Sequence, residues 1–394
     1  LKEKFPQTRF HYMWHNYMPL CPQIELLYQN RFDCTDYEGG RKCQGCIAGF
    51  HTRDQLIVPQ RLGSSLEFAR LSGRPLGNFF FGAGMGLYQI WQACRLFVGE
   101  VRLSLRGTLV RDAEARVRVR KFQAVDVEAE GKGPRGTSLA RTAMHGDEYR
   151  IWREQNTMRL NRFDSHMCVS KLVAETIASF GINRQNIRIT PQGMDLHASP
   201  SQMRARADTK PDRDRMRLSF IGYGIPSKGL PFITEALMSA DLPVLKEKAE
   251  LVIYARLDDH DMLKLAPLTE RFAQVSVVQG YRREDLAKVA RDIDLNIVPS
   301  IWRETYNQVA YELLCLGTPS LLSTNVGLGM FWGRNPEFVF QSGNQEDFIS
   351  KLAGIVSNPA LLKKFWKSPP ELPTMEQHIM QVHSIMSSTN TEKW

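Results

Sequence analysis

Two glutamates eight residues apart, Glu304 and Glu312, stand in the run Pro299-Ser-Ile-Trp-Arg-Glu-Thr-Tyr-Asn-Gln-Val-Ala-Tyr-Glu-Leu-Leu-Cys-Leu-Gly-Thr-Pro319. Carboxylates at this spacing on one helix are usually solvated charges, so their surroundings matter more than their number. Upstream, Asp294-Leu-Asn-Ile-Val-Pro299 lacks polar alternation and predicts a buried parallel strand. Downstream, Val309, Leu313 and Leu316 share a helical stripe over 305–316, Gly317 caps it and Pro319 prevents its continuation. Glu304 is therefore expected at the carboxyl end of a strand, just before a helix, where ligands bind in open α/β sheets. Glu312, two turns on, can reach the same ligand from a second height. A second constellation is Gly222, Lys228 and Gly229. Glycines allow close backbone approach, amides of the next helix favour an anion and lysine adds a point charge, which together suit a diphosphate.

The elements that must position these groups alternate. Strand patterns at 218–221, 251–254, 275–278 and 320–323 are separated by helical patterns near 232–240, 263–272 and 286–291. That alternation predicts a doubly wound parallel sheet. Residues 197–215, rich in Ser, Arg, Asp and Pro, read as a linker, and 375–386 as a terminal helix. The expected division is 1–192, a linker over 193–215, 216–372, and a helix and tail over 373–394.

Taken together, the Glu304–Glu312 stretch resembles the paired-glutamate signature of the family-4 (group 1) retaining glycosyltransferases of GT-B fold. Phe220-Ile-Gly-Tyr-Gly-Ile-Pro-Ser-Lys-Gly229 and Val277-Val-Gln-Gly-Tyr-Arg-Arg-Glu-Asp-Leu286 resemble elements of the same family. So do Asp164-Ser-His-Met-Cys-Val-Ser170 and Ile187-Arg-Ile-Thr-Pro-Gln-Gly-Met-Asp195. The resemblance covers about 155–365 well and 11–50 more loosely. It implies two Rossmann-like domains facing a cleft, the first of them apparently incomplete, since Phe10-His-Tyr-Met-Trp-His15 resembles a strand that three strand–helix units would normally precede.

What it implies for the site is specific. Glu312 would accept hydrogen bonds from ribose hydroxyls, and Glu304 would face the donor sugar. The amides of Tyr306 and Asn307 would lie beside sugar or phosphate, and His15 would approach from the first domain. The reaction implied is transfer of a sugar from a nucleotide-sugar donor to a glycan or lipid-linked acceptor with retained configuration, catalysed without a metal. The chain departs from the family pattern at Tyr223, where an arginine is usual, and at Asn16, where an aspartate is. Tyr223 keeps open an alternative reading, an inactive scaffold or partner subunit.

Cys21, Cys34, Cys43 and Cys46 form C-x12-C-x8-C-x2-C, with Gly39, Gly40 and Gly45 available for tight turns. Thiolates in this pattern suit structural zinc, and some family members carry a similar Cys cluster after the corresponding His strand. Unliganded cysteines and an iron–sulfur cluster are the alternatives.

The 394-residue chain has room for two cores, and its formal charge of +9 favours an anionic partner. Nucleic acid, an anionic membrane and a phosphorylated substrate all qualify on charge. A zinc-containing nucleic-acid binder, which the cysteines and charge also suggest, would explain none of the second domain, so no nucleic-acid partner is expected. Leu87, Trp91, Cys94, Val98, Val101, Leu105 and Leu109 recur at helical spacing beside Arg95, Arg102, Arg106 and Arg111, a pattern of core helices and of membrane-surface ones. The most apolar stretch, 79–98, contains Gln89, Gln92 and Arg95, which argues against a membrane span. Seven cysteines, an odd number, fit a reducing, cytoplasmic setting.

Overall fold

The computed structural model describes residues 5–22, 24–29, 32–47, 118–120 and 146–387. The chain divides into two compact units, one of Leu1–Asp36, Ala113–Ala124 and Trp152–Trp394, the other of Tyr37–Asp112 and Val125–Ile151. Both sheets expected for separate domains lie in the first unit.

The described strands, in chain order, begin with β1 (His11–Trp14), β2 (Leu27–Tyr28), β3 (Phe32–Asp33), β4 (Arg118–Arg120), β5 (Ser165–Cys168) and β6 (Ile187–Ile189). They continue with β7 (Met216–Ile221), β8 (Ala249–Tyr254), β9 (Gln274–Val278), β10 (Leu295–Val298), β11 (Ser320–Ser323) and β12 (Val339–Phe340). A three-stranded sheet has the order β1-β5-β6, and a seven-stranded sheet β12-β11-β10-β7-β8-β9-β4. Pairing is parallel throughout both. The protein is thus a mixed α/β structure built on parallel sheets, as expected. The short hairpin β2–β3 is antiparallel.

Strand β8 shows why the larger sheet is parallel. Leu251, Val252, Ile253 and Tyr254 are all buried, so consecutive residues face apolar layers on both sides. The helix Leu230–Ser239 supplies part of one layer through Phe232, Ile233, Ala236 and Leu237. Chain order runs outward from β7 to β9, then returns to β10 and runs out the other way. The reversal falls between β7 and β10, which are hydrogen-bonded neighbours. Residues 118–120, expected in the first domain, instead pair with β9 at the far edge of this sheet.

The segment 197–215 is not a structureless linker. It holds a helix, Pro200–Asp208, started by a reciprocal cap between Ser199 and Gln202. The expected helix 305–316 spans Gln308–Cys315. The terminal helix, Met375–Ser387, runs beside the smaller sheet's elements: His378 contacts the Pro191 carbonyl at 3.0 Å, and Arg9 donates to the Met386 carbonyl. Gly193 allows this approach, because a Cβ there would lie 2.1 Å from the Thr374 carbonyl oxygen. Among the described residues no helix is long and apolar enough to cross a membrane. The amphipathic pattern over 87–109 and the apolar stretch 79–98 lie outside the described residues.

In the second unit, a tight turn at Glu38–Gly40 leads into the helix Arg41–Ile47. Gly40 has φ +96°, and a Cβ there would lie 1.9 Å from the Gly146 carbonyl oxygen. Only glycine permits both the turn and this contact.

Candidate functional site

The loop after β7 and the loop after β10 meet on the two sides of the chain reversal. After β7 the chain makes a short turn, Pro226–Lys228, and Gly229 follows with φ +83°. A Cβ on Gly229 would be 2.0 Å from the Pro299 carbonyl oxygen, so this glycine lets the two loops touch. The Ile301 amide donates to the Ser227 carbonyl at 2.9 Å and seals that contact.

Glu304 hangs from the second loop and is 7% exposed. Its amide bonds the Asn325 carbonyl at 2.8 Å, and its carbonyl accepts from Gly327 at 2.9 Å, so the backbone is held against the loop after β11. One carboxylate oxygen pairs with Lys228 Nζ at 2.6 Å, and the other accepts from Ser300 Oγ at 2.5 Å. Lys228 also lies over the Trp302 ring, 5.1 Å from its centroid. A cation and a carboxylate, both largely shielded from water, are thereby paired at the switch point.

The amides of Gly222, Lys228 and Gly229 are engaged, donating to the carbonyls of Tyr254, Ile225 and Pro226 respectively. For an anion, this loop therefore offers the Lys228 ammonium rather than those three amides. Tyr223, beside Gly222, is 71% exposed.

Glu312 is 7% exposed and sits on the helix that starts at Gln308. Its Oε1 accepts from Arg283 Nη2 at 2.8 Å, and the Arg283 side chain is 68% exposed. Tyr281 lies close to both Glu312 and Tyr223. Burial first, then these neighbours, pushes its hydroxyl up to about 12. Asn307 takes φ +84° and caps the helix, its side-chain oxygen accepting from the Ala310 amide at 2.8 Å. Tyr306 is buried, and its carbonyl accepts from Leu328 at 2.9 Å.

The smaller sheet's loops reach this site at several points. His15, exposed at the end of β1, accepts through its carbonyl from Thr305 Oγ1 at 3.3 Å. Arg303 grips both oxygens of Asp33 at 2.9 Å and donates to Thr176 at 3.0 Å. Ser227 Oγ donates to Glu25 Oε1 at 3.1 Å. Burial holds the Glu25 carboxyl above the ordinary carboxylate range; the Ser227 hydrogen bond and Lys228 oppose this and Glu304 adds to it.

The structure therefore brings Glu304, Lys228 and Gly229 together with the His15 backbone, and places Glu312 on the helix that follows. Glu25, Ser300, Arg303 and Arg283 were missed. Arg303 and Ser300 lie within the motif segment itself, and Arg283 within the stretch before it. Glu25 carries no local signal. Of the four cysteines, Cys21 and Cys34 belong to the first unit, Cys43 and Cys46 to the second, and all are buried. Among the described residues no three His, Cys, Asp or Glu side chains are grouped so as to hold a metal ion.

Fold and site define an α/β protein whose charged cluster occupies the reversal point of a parallel sheet. No family model matches the chain, and no curated protein matches it. Among solved structures, HepE from Anabaena in complex with UDP and glucose aligns at TM-score 0.44 and 15% identity, covering 60% of this chain and 66% of that one. Sucrose-phosphate synthase from Thermosynechococcus elongatus aligns at TM-score 0.46 and 18% identity, covering 61% of each chain. WaaG, a glycosyltransferase involved in lipopolysaccharide biosynthesis, aligns at TM-score 0.45 and 16% identity, covering 61% of this chain and 68% of that one. The chain thus spans slightly less than two-thirds of the HepE chain.

Proposed function

We propose that the protein is a GT-B glycosyltransferase of the family-4 type, moving a sugar from a nucleotide-sugar to a glycan or lipid-linked acceptor with retention. The observation that carries this reading is the Lys228–Glu304 pair at the β7/β10 reversal, 2.6 Å apart. Lys228 exchanges Glu304 for the donor diphosphate, and the released carboxylate faces the sugar. The bond from the anomeric carbon to the diphosphate breaks and its electrons leave with the phosphate oxygen, which Lys228 stabilises. Glu304 stabilises the cationic character that develops at the anomeric carbon. The acceptor oxygen then bonds on the same face, and its proton passes to the departing phosphate. These groups supply charge without a catalytic metal. Glu312 holds the ribose after Arg283 moves aside, and His15 stands on the acceptor side.

The surplus positive charge suits an anionic membrane surface where a lipid-linked acceptor is presented, and cytoplasmic placement is part of this reading. The alternative is an inactive relative acting as a scaffold. The engagement of Lys228 by Glu304 and of Glu312 by Arg283, with Tyr223 in place of a cation, favours it.

A thermal-shift panel of UDP, ADP and GDP and their sugar conjugates decides between them, because a ligand of the folded state raises the melting temperature. One nucleotide is expected to shift the wild type, and Glu312→Ala to abolish that shift. Release of the nucleoside diphosphate from its sugar conjugate then separates enzyme from scaffold. Absence of any shift would remove the donor-site reading altogether.

A further inference from the structure

We propose that Glu25 is a second sugar-facing carboxylate of the donor site, presented by the smaller sheet's side of the molecule. This rests on the glycosyl-transfer reading above. Ser227, hydrogen-bonded to Glu25 at 3.1 Å, is the residue before Lys228, and Lys228 holds Glu304 at 2.6 Å. Two carboxylates thus reach the Ser227–Lys228 turn, one through each residue, and Glu25 feels the charges of both Lys228 and Glu304. Once the diphosphate has taken Lys228, a neutral polyol offers hydroxyl donors to both carboxylates.

The backbone around Glu25 is built to aim it. Ile24 and Leu26 take φ +73° and +53°, a region that a β-branched residue such as isoleucine rarely enters. Surrounding contacts hold that conformation: Tyr17 donates to the Ile24 carbonyl at 3.2 Å, and Cys34 to the Leu26 carbonyl at 2.8 Å. Leu26 and Leu27 are buried, and Asp33, at the end of the hairpin, is clamped by Arg303. Strain retained by such contacts is found where a side chain must point in a functional direction. Partial burial of the carboxyl, with Ser227 as its donor, agrees with a group kept for a ligand rather than for water.

The test compares binding of each nucleoside diphosphate with that of its glucose conjugate, by calorimetry, in wild type and Glu25→Gln. The sugar conjugate is expected to lose about tenfold in affinity, the scale of one hydrogen bond to a charged group. The nucleoside diphosphate should bind as well or a few-fold tighter, since a competing negative charge is gone. Glu25→Asp, which shortens the reach but keeps the charge, should lose the conjugate without tightening the diphosphate. Equal weakening of both ligands by Glu25→Gln, or no change in either, would overturn the assignment while leaving the donor site intact. Failure of every probe to bind the wild type would instead overturn the reading on which it rests. Melting of each unliganded variant within about 2 °C of wild type confirms that the comparison is between folded proteins.

Discussion

Each of the two parallel sheets carries a buried polar side chain on an inner strand, and the two differ in whether that group can titrate. In the seven-stranded sheet it is Asn296 on β10, accepting from Ser219 on β7 at 3.1 Å and donating to Ser320 on β11 at 3.3 Å. In the three-stranded sheet it is His166 on β5, which accepts from Trp14 Nε1 at 3.2 Å and donates to the Leu160 carbonyl at 3.1 Å. Both networks tie a central strand to its surroundings, and both satisfy buried polar atoms. The amide network keeps its hydrogen bonds at any ordinary pH. The imidazole network exists only while the ring is neutral. The larger sheet is thus a permanent platform for Lys228 and Glu304, whereas the platform behind His15 and Glu25 depends on solution conditions.

The largest expected effect tests the platform side. Lys228→Met should lower turnover about a thousandfold, because in the proposed reaction it removes the charge that meets the leaving diphosphate. It should also destabilise the fold by about 3 kcal/mol, since Glu304 is left buried without its cation. Adding Glu304→Gln to Lys228→Met separates the two effects. The double variant should regain most of the melting temperature and none of the turnover. Recovery of turnover with stability would mean that the pair serves the fold alone.

Acid should act on the other sheet. Burial lowers the His166 pKa to about 4, opposed by its hydrogen bond to the Leu160 carbonyl. A pKa lower in the folded state than the ordinary value near 6.5 means that the native protein disfavours the charged ring. The resulting contribution is complete above about pH 6.5 and is lost as pH falls from there towards 4, about 3 kcal/mol in all. Denaturant midpoints measured for wild type and His166→Gln across pH 4–7 should therefore converge as the solution is acidified. Parallel curves would show that His166 does not distinguish the two sheets. An Asn296→Ala variant, by contrast, should differ from wild type by a constant amount over the same range.

What the sequence disclosed follows a similar line. Strand β11 was read at its observed bounds, and β7 to β10 within two residues, because strands buried on both faces write themselves as unbroken apolar runs. Glu304 and Lys228 were legible because they follow such strands. The motif helix begins three residues later than its periodicity suggests: Asn307, in the left-handed region, caps it from outside. The helix Pro200–Asp208 has a linker's composition, although Ser199 and Gln202 stand at capping-box spacing across its start. Its polar composition hid it. Glu25 was not legible, since nothing periodic surrounds it. Its place depends on a hairpin clamped through Asp33 to Arg303, 270 residues away. Strand β4 was hidden for the same reason, since its edge position is set by β9 and not by its own pattern.

The smallest effect concerns Tyr223, where the larger sheet's platform lacks a cation. Because Tyr223 is 71% exposed, replacing it disturbs no packing, so Tyr223→Arg isolates the charge. An exposed ion pair contributes up to about 1 kcal/mol, so nucleoside diphosphate should bind about fivefold tighter at low salt. The gain should fade in 1 M salt, where the screening length falls to about 3 Å. Two nearby groups make the opposite result informative. Tyr223 lies close enough to Tyr281 to perturb it, as does Glu312, which is paired with Arg283. If the new arginine turns to Glu312 instead, that carboxylate is held by two cations, ribose must displace both, and affinity falls. Tighter binding would place Tyr223 beside the diphosphate, and weaker binding beside the ribose. Equal affinity at low salt would put it outside the donor site and leave Lys228 as the cation on which the platform side of the comparison depends.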